Sequence, residues 1–554
     1  MVGEVIHCNF TDDYRTMQNS RQTLASDNRV LTKLVGHFAG LVAAGLTVTA
    51  LADVRLPGIF SDHMVLQRDQ TVPVWGWAEP GEEVAVTLGA AKATATTGPD
   101  GKWMVKLASQ PLSAAPLTLT VSGKNTIAVH DVLLGDVWLC SGQSNMEFGL
   151  GGCNAPQDIE AAQFPTLRRI KFDHTTASKP ADDIPGRWEV CTPQSAPGFT
   201  AVGFYFARRI QKETGVPIGL IDDNWGGTRI EPWIPPGGFE QVDSLAGILV
   251  DVTNRCQSYR AELGKALGPL EQWIADARKA LAVPGADVPV QPPVPGNPYN
   301  DASFPSSIYN GMIHPIVPFG LKGAIWYQGE SNGGEGDEYY AKMRALIGGW
   351  RTLWAQGDFP FYFVQLANFM QPNNDPAGGD GWARVRMAQL KSLEIPRTGM
   401  AVTIELADAD NPNDIHPKNK FDVGDRLALW ALAKDYGKAG LVYSGPLYQS
   451  LKIEGNKARI LFTSVGSGLM VGRKVGRQPT VEDKSGKLER FAVAGQDRKW
   501  FWADAVIEGD TVVVSSPNVP APVAVRYAFS MNPVGCNLYN REGLPASPFR
   551  TDNW

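Results

Sequence analysis

Three apolar runs in this chain end in the same way. "VWLC", "VPIGLIDD" and "KGAIWY" each pass at their carboxyl ends into a polar, glycine-containing turn: "SGQSN" at 141–145, "NWGGT" at 224–228 and "QGESN" at 328–332. Two further apolar runs, "FPFYFVQLAN" and "GMAVTIELAD", follow. The segments between them have helical period. Val202, Phe206 and Ile210 share one face ahead of Gly215, and Tyr340, Met343, Ile347, Trp350 and Trp354 share another. In "HPKNKFDVGDRLALWALAKDYG", Pro417 stands near a helix start with Val423, Leu427, Trp430 and Ala431 turned inward. Continuous apolar strands alternating with amphipathic helices predict an α/β core, a parallel sheet covered on both faces. The functional crevice of such a sheet lies outside the carboxyl ends of its strands. Three polar, glycine-rich turns at three strand ends therefore mark a candidate site.

The flanks read differently. Residues 53–134 carry short alternating runs such as "VAVTL" and "LTLTVS" between turns such as "EPGE" and "TGPDGKW", which predicts a small amino-terminal β-sandwich. The catalytic α/β domain is then expected over 135–438. An insertion at 251–305 comprises a polar helix over 251–282 and a Pro-rich connection, as in lids, binding loops or linkers. Residues 439–554 return to strands and hairpin turns, "EGN" and "EGD" among them, and read as a β-rich accessory domain.

Residues 1–52 read as targeting sequence. Lys33 precedes a charge-free run from Leu34 to Ala52 that ends Ala50-Leu51-Ala52, a small-x-small pattern, so cleavage is predicted before Asp53. The polar stretch ahead of Lys33 does not suit the front of a signal peptide. It is read either as a leader upstream of a true start near Met17 or Val30, or as a cytoplasmic tail. The expected location is secreted or periplasmic, without stable membrane association after cleavage.

At 554 residues the chain exceeds one ordinary core, and its net charge of −6 argues against a nucleic-acid groove. Five cysteines remain beyond Asp53, too few and odd in number for a disulfide framework. Cys153 and Cys191 are a candidate pair, and Cys140 reads as a core thiol. No C-x-x-C or H-x-x-x-H spacing supports a structural zinc site. No cofactor is expected.

A hydroxyl nucleophile needs a base within reach, an orienting acid and donors for a developing oxyanion. Ser144 follows Gly142-Gln143 at the end of an apolar run, without the G-x-S-x-G elbow, and Ser141 is its rival nearer the strand. Among the histidines, His63 and His130 belong to the amino-terminal region, His174 follows "IKFD" in a connection, and His314 has no acid beside it. His416, in "NDIHPKNK", is the one that combines a nearby acid, Asp414, with a place just beyond a parallel strand. Gly226 and Gly227 offer N–H groups, and Gln328 and Asn332 offer side-chain amides, as oxyanion donors.

Four ordered blocks carry a resemblance: "LCSGQSNMEF", "LIDDNWGGTRIEPWIP", "GAIWYQGESN" and "DIHPKNKFDVGDRLAL". They resemble the signature blocks of the sialate O-acetylesterase-like carbohydrate esterases of the SGNH hydrolase superfamily. "LPGIFSDHMVLQRD" and the closing "VRYAFSMNPVGCNLYNREGLPASPFRTDNW" are similar to the same family. The resemblance implies a flavodoxin-like three-layer α/β/α core, metal-free serine hydrolysis and acetyl groups on sugars as substrate. It makes Ser144 the nucleophile, His416 the base, and the Ser144 N–H a partner of Gly226 or Gly227 in the oxyanion hole. The superfamily pattern D-x-x-H would put the acid at position 413, which is Asn413 here. Asp414 is the candidate in its place, and Glu330 of "QGES" is the alternative.

The expected partner is an O-acetylated sugar, free or in an oligo- or polysaccharide. Trp225 and Trp233 are candidates to stack on a neutral glycan, and Arg229 to pair with a sialate carboxylate or simply to fix its own loop. The flanking β domains and the Pro-rich insertion suit a polymer or oligosaccharide as well as a single sugar; secretion favours plant cell-wall xyloglucan or xylan, with sialate the alternative. From another class, a non-catalytic carbohydrate-binding protein would also suit the β-rich flanks. The oligomeric state is not legible.

Overall fold

The computed structural model describes residues 53–408 and 410–554. The leader, the apolar run and the expected cleavage site before Asp53 lie outside the described residues, apart from Asp53 itself. Among the described residues no helix is long and apolar enough to cross a membrane.

The amino-terminal strands are β1 (Val65–Gln67), β2 (Val72–Trp77), β3 (Glu83–Leu88), β4 (Ala91–Thr96), β5 (Lys102–Leu107) and β6 (Ser113–Ser122). β2 and β5 pair with each other, while β3 pairs with β4 and β6. The next strand, β7 (Thr126–Gly142), is 17 residues long. Its first half pairs antiparallel with β6, and its second half is the central strand of the α/β core. The change of period at Gly135 is thus not a break between two units: one strand runs through it. Gly135 is there because a side chain would meet the Pro217 carbonyl at 2.1 Å.

After β7 come a short helix α1 (Ser144–Glu147), β8 (Phe164–Phe172), β9 (Gly186–Cys191), helix α2 (Ala201–Thr214) and β10 (Ile218–Asn224). Helix α3 (Ala246–Leu281) fills most of the insertion. The core continues with β11 (Gly323–Tyr327), α4 (Glu338–Trp354), β12 (Phe361–Val364), α5 (Gly381–Lys391), β13 (Thr398–Ala401) and α6 (Lys420–Asp435). The sheet order is β13-β12-β11-β7-β10-β8-β9. All neighbours are parallel except β8 and β9, so the sheet is mixed rather than wholly parallel. β8 escapes the sequence because "LRRIKF" interleaves its buried Leu167, Ile170 and Phe172 with cations.

Helix α2 matches its expected signals. Thr200 accepts the Gly203 N–H at its start, and Gly215 ends it at φ 70°. Helix α6 starts later than expected, at Lys420, where Asn419 caps it, so Pro417 and His416 belong to the loop before the helix. Residues 447–550 add eleven short strands in three antiparallel sheets. One apolar core runs from Val54 to Leu432, and a second fills the carboxyl-terminal sheets. Cys153 and Cys191 are buried as free thiols, so the candidate Cys153–Cys191 disulfide is not formed, and Cys140 lies buried in the core as expected.

Candidate active site

β7 is the central strand and its two neighbours, β10 and β11, belong to halves of the sheet that wind away from each other. This is the topological switch point of an α/β sheet, where the strand ends leave an open crevice. Register brings the three turns together there: Gly142 faces Asn224 on one side and Tyr327 on the other. Gly142 itself sits at φ 137°, and a side chain on it would strike the Tyr327 carbonyl at 2.2 Å. Only glycine lets β7 pass so close to β11 and still turn outward into Gln143 and Ser144.

The structure brings Ser144 and His416 into contact across 272 residues of sequence, with Ser144 Oγ 2.9 Å from His416 Nε2. Ser141 is fully buried, with no partner for its hydroxyl among the described residues, and takes no part in this contact. His416 stacks on Phe148, with ring centroids 5.9 Å apart. Burial holds its pKa below the ordinary histidine value, and the neighbouring Lys420 ammonium adds to the effect. Both influences favour the neutral imidazole.

Of the two candidate acids, Asp414 is the one beside His416. Its Oδ1 lies 3.6 Å from Nδ1, beyond hydrogen-bond length. That same oxygen accepts the His416 backbone N–H at 2.9 Å, and Lys418 Nζ lies 3.1 Å from Oδ2. Partial burial pushes the Asp414 pKa up, but these two partners more than offset it and hold the carboxyl low. Glu330 is buried and makes no bond to His416. Its Oε1 accepts from Asn145 Nδ2 at 2.6 Å, and burial raises its pKa.

Among the candidate oxyanion donors, three are already committed. The Gly226 N–H donates to Glu147 Oε2 at 2.7 Å. Gln328 Nε2 donates to Asn332 Oδ1, Gln143 Oε1 and the Thr228 carbonyl at 2.7, 3.0 and 3.2 Å. Asn332 Nδ2 donates to Glu335 and Glu231 at 3.0 and 3.1 Å. These amides tie the β10 and β11 turns together instead of facing the crevice. The Ser144 and Gly227 N–H groups have no acceptor among the described residues, and Gly227 sits at φ 77° with open space where a side chain would be.

The candidate sugar-binding residues separate in the same way. Trp233 is fully buried, its Nε1 donating to Thr228 Oγ1, and belongs to the core. Arg229 is held by Glu231 of its own loop at 3.1 Å and by Glu335 after β11, so its fork is already engaged. Trp225 remains half-exposed at the site and stacks on His174, with centroids 4.5 Å apart and planes within 7°. His174 in turn donates to Glu147 Oε1 at 2.8 Å. Glu147 and His174 were not singled out in the sequence; a carboxylate three residues after the serine carries no signal until the fold sets Gly226 against it.

Comparison with known proteins fits this geometry. A family model described as "Carbohydrate esterase, sialic acid-specific acetylesterase" matches residues 134–254 and 299–433. The sialate O-acetylesterase of Rattus norvegicus is 30% identical over 93% of this chain and 97% of its own. That of Homo sapiens is 29% identical over 89% and 92%. A solved structure of a carbohydrate acetylesterase from Xanthomonas citri superimposes with a TM-score of 0.74 at 37% identity, over 91% of this chain and all of that one. The chain is a carboxylic-ester hydrolase. It belongs to the sialate O-acetylesterase family of carbohydrate esterases.

Proposed function

We propose that the chain is a serine-dependent carbohydrate O-acetylesterase in which Ser144 is the nucleophile and His416 the general base. The 2.9 Å contact between Ser144 Oγ and His416 Nε2 at the end of the central strand carries this reading. Ser144 attacks the acetyl carbonyl as His416 takes its proton, and the Ser144 and Gly227 N–H groups hold the oxyanion. The protonated histidine passes its proton to the departing sugar hydroxyl, and water then releases acetate from the acetyl-enzyme by the reverse use of the same groups. Asp414 favours the imidazolium by its charge at 3.6 Å rather than through a bond to Nδ1.

The substrate read from the site is an acetyl ester on a neutral glycan of the plant cell wall, xyloglucan or xylan. Trp225, half-exposed and stacked on His174, directly precedes Gly226, which approaches Ser144, and Arg229, the cation suited to a sialate carboxylate, is already paired with two glutamates. The names of the rat and human relatives favour the second reading, an O-acetylated sialic acid. The mixed sheet around Ser144 suits an SGNH-type core with β-rich flanks at 53–134 and 439–554 and an insertion at 251–305. The charge-free run ending at Ala52 supports export and cleavage before Asp53, which the amino-terminal sequence of the mature protein tests.

Acetate release from acetylated xyloglucan, acetylated xylan and O-acetylated sialic acid, with p-nitrophenyl acetate as a sugar-free control, tests the whole. Ser144→Ala and His416→Ala are expected to abolish turnover of all four. Full activity in purified Ser144→Ala would sink the mechanism, and preference for the sialate ester would sink the neutral-glycan reading alone.

A further inference from the structure

Asn145 follows Ser144 directly and is almost completely buried. Its Nδ2 donates to the carbonyl of Ile415, the residue before His416, at 2.9 Å, and to Glu330 Oε1 at 2.6 Å. Its Oδ1 accepts from the Nζ of Lys420, itself fully buried at the start of α6. One side chain thus joins the turn that carries the serine, the loop that carries the histidine and the turn after β11. The amide fits only one way round. A peptide carbonyl can only accept, so flipping the amide would break its bond to Ile415 and turn its oxygen towards Glu330.

The loop over 402–419, which brings His416 to the site, contains no strand or helix among its described residues, and it spans the whole gap between β13 and α6. Such a segment does not fix the position of a side chain by itself. Nor does the Asp414–His416 backbone bond, which is internal to the same loop. A tie from Ile415 to the residue after Ser144 acts on the geometry that matters, the separation of the two reacting groups.

We propose that Asn145 is the positioning residue that sets the Ser144–His416 contact, with Lys420 and Glu330 orienting its amide. The proposal rests on the reading of Ser144 and His416 as nucleophile and base. It gives Glu330 a role distinct from that of an acid on His416: its carboxylate acts through Asn145. Proton transfer from serine to histidine needs the pair held in near-attack geometry, and a displacement of about 1 Å costs about 10²-fold in rate.

The test compares Asn145→Ala, Asn145→Asp and Glu330→Gln with the unaltered full chain. It measures kcat and KM for p-nitrophenyl acetate, the rate at which paraoxon phosphorylates Ser144, and the thermal midpoint. Paraoxon reports the activation of the serine by the histidine without any sugar contact. Asn145→Asp keeps the volume and the acceptor for Lys420 but removes the donor to Ile415, so it tests the tie even where the alanine variant does not fold. Both Asn145 variants are expected to lower kcat and the phosphorylation rate together by about 10²-fold, with KM unchanged. Glu330→Gln still accepts from Asn145 through its amide oxygen, a weaker acceptor than a carboxylate, and is expected to lose about tenfold. Asn145→Asp with kcat and phosphorylation rate close to those of the unaltered chain would overturn the proposal, as would a change confined to KM. A loss of about 10⁴-fold in Glu330→Gln would overturn it too, because that is the signature of the acid bonded to the histidine. Phosphorylation persisting in Ser144→Ala would mark a different failure, that of the nucleophile assignment.

Discussion

The His416 imidazole sits between opposing influences. Burial and the Lys420 ammonium favour its neutral form, while Asp414, 3.6 Å from Nδ1, favours the charged one. As the proposed general base His416 acts only when neutral, so the acid limb of kcat/KM is expected below the pH at which an ordinary histidine titrates. Asp414→Asn removes the one nearby influence that favours the imidazolium. Its acid limb is expected to move to still lower pH, and kcat to fall by about 10²-fold, short of the ~10⁴-fold that follows loss of a directly bonded triad acid. A pH–rate profile of the variant checks both; an acid limb moving to higher pH would contradict the assigned sign. At this scale the sequence was legible where chemistry is scarce. Few histidines remain after Asp53, and one of them has an acid two residues away at a strand end. It was illegible where chemistry is common. Gln328 and Asn332 are amides at a strand end, and nothing in their type or spacing tells a donor facing a crevice from one buried in a network between two turns.

Helix α3 is an element of a different kind from the helices of the core. At 36 residues it is about 54 Å long, and only Cys256 and Ala277 along it are buried. Trp273 donates to the carbonyl of Pro289, so the Pro-rich return folds back on the helix rather than on the sheet. Cys256, Tyr299 and Phe304 form a small apolar cluster of their own at the base of this excursion. The family model skips 255–298, the same span. Replacing 258–296 by a short Gly-Ser linker, with Cys256 and Tyr299 retained, is therefore expected to preserve the core. A thermal midpoint within about 5 °C and p-nitrophenyl acetate turnover within about threefold are the expected outcomes, since shortening a surface excursion changes closure entropy little. Loss of the folded state would show that α3 supports the sheet. The sequence foretold this helix from its polarity but not the start of α6, because Pro417 imitates a first-turn proline while the cap is made by Asn419.

Across the whole molecule, Arg386 is one of several ties between the α/β core and the carboxyl-terminal region. Its fully buried guanidinium, on α5, donates to the carbonyls of Leu366 and Ala367 after β12 at 2.8 and 2.7 Å. It also donates to those of Ser530 and Met531 in the carboxyl-terminal region at 2.6 and 2.8 Å. Arg386→Met would leave the carbonyls of Leu366 and Ser530 without a donor, while those of Ala367 and Met531 keep the Trp382 indole N–H and the Phe369 N–H. Each unsatisfied group costs about 1–3 kcal/mol, so a loss of at least about 2 kcal/mol is expected in chemical denaturation; a midpoint unchanged by the substitution would show that the other ties, such as Gln365 to Ser547 and Asn368 to Asn532, suffice. Such a contact between residues 144 positions apart in the chain leaves no trace in local pattern, and neither does the continuity of β7. The period changes at Gly135, yet the glycine marks a close approach to Pro217 inside one strand. That strand has a bearing on how such chains can be recombined. A chimera joined at residue 135, the natural place to exchange a module by its sequence, would splice two parental halves of a single strand about 56 Å long, one of which ends in the turn that holds Ser144. Exchanges of the amino-terminal strands that respect the register of β6 on β7 would leave that turn where it is; shifting the splice by one residue would turn every side chain of the second half to the opposite face.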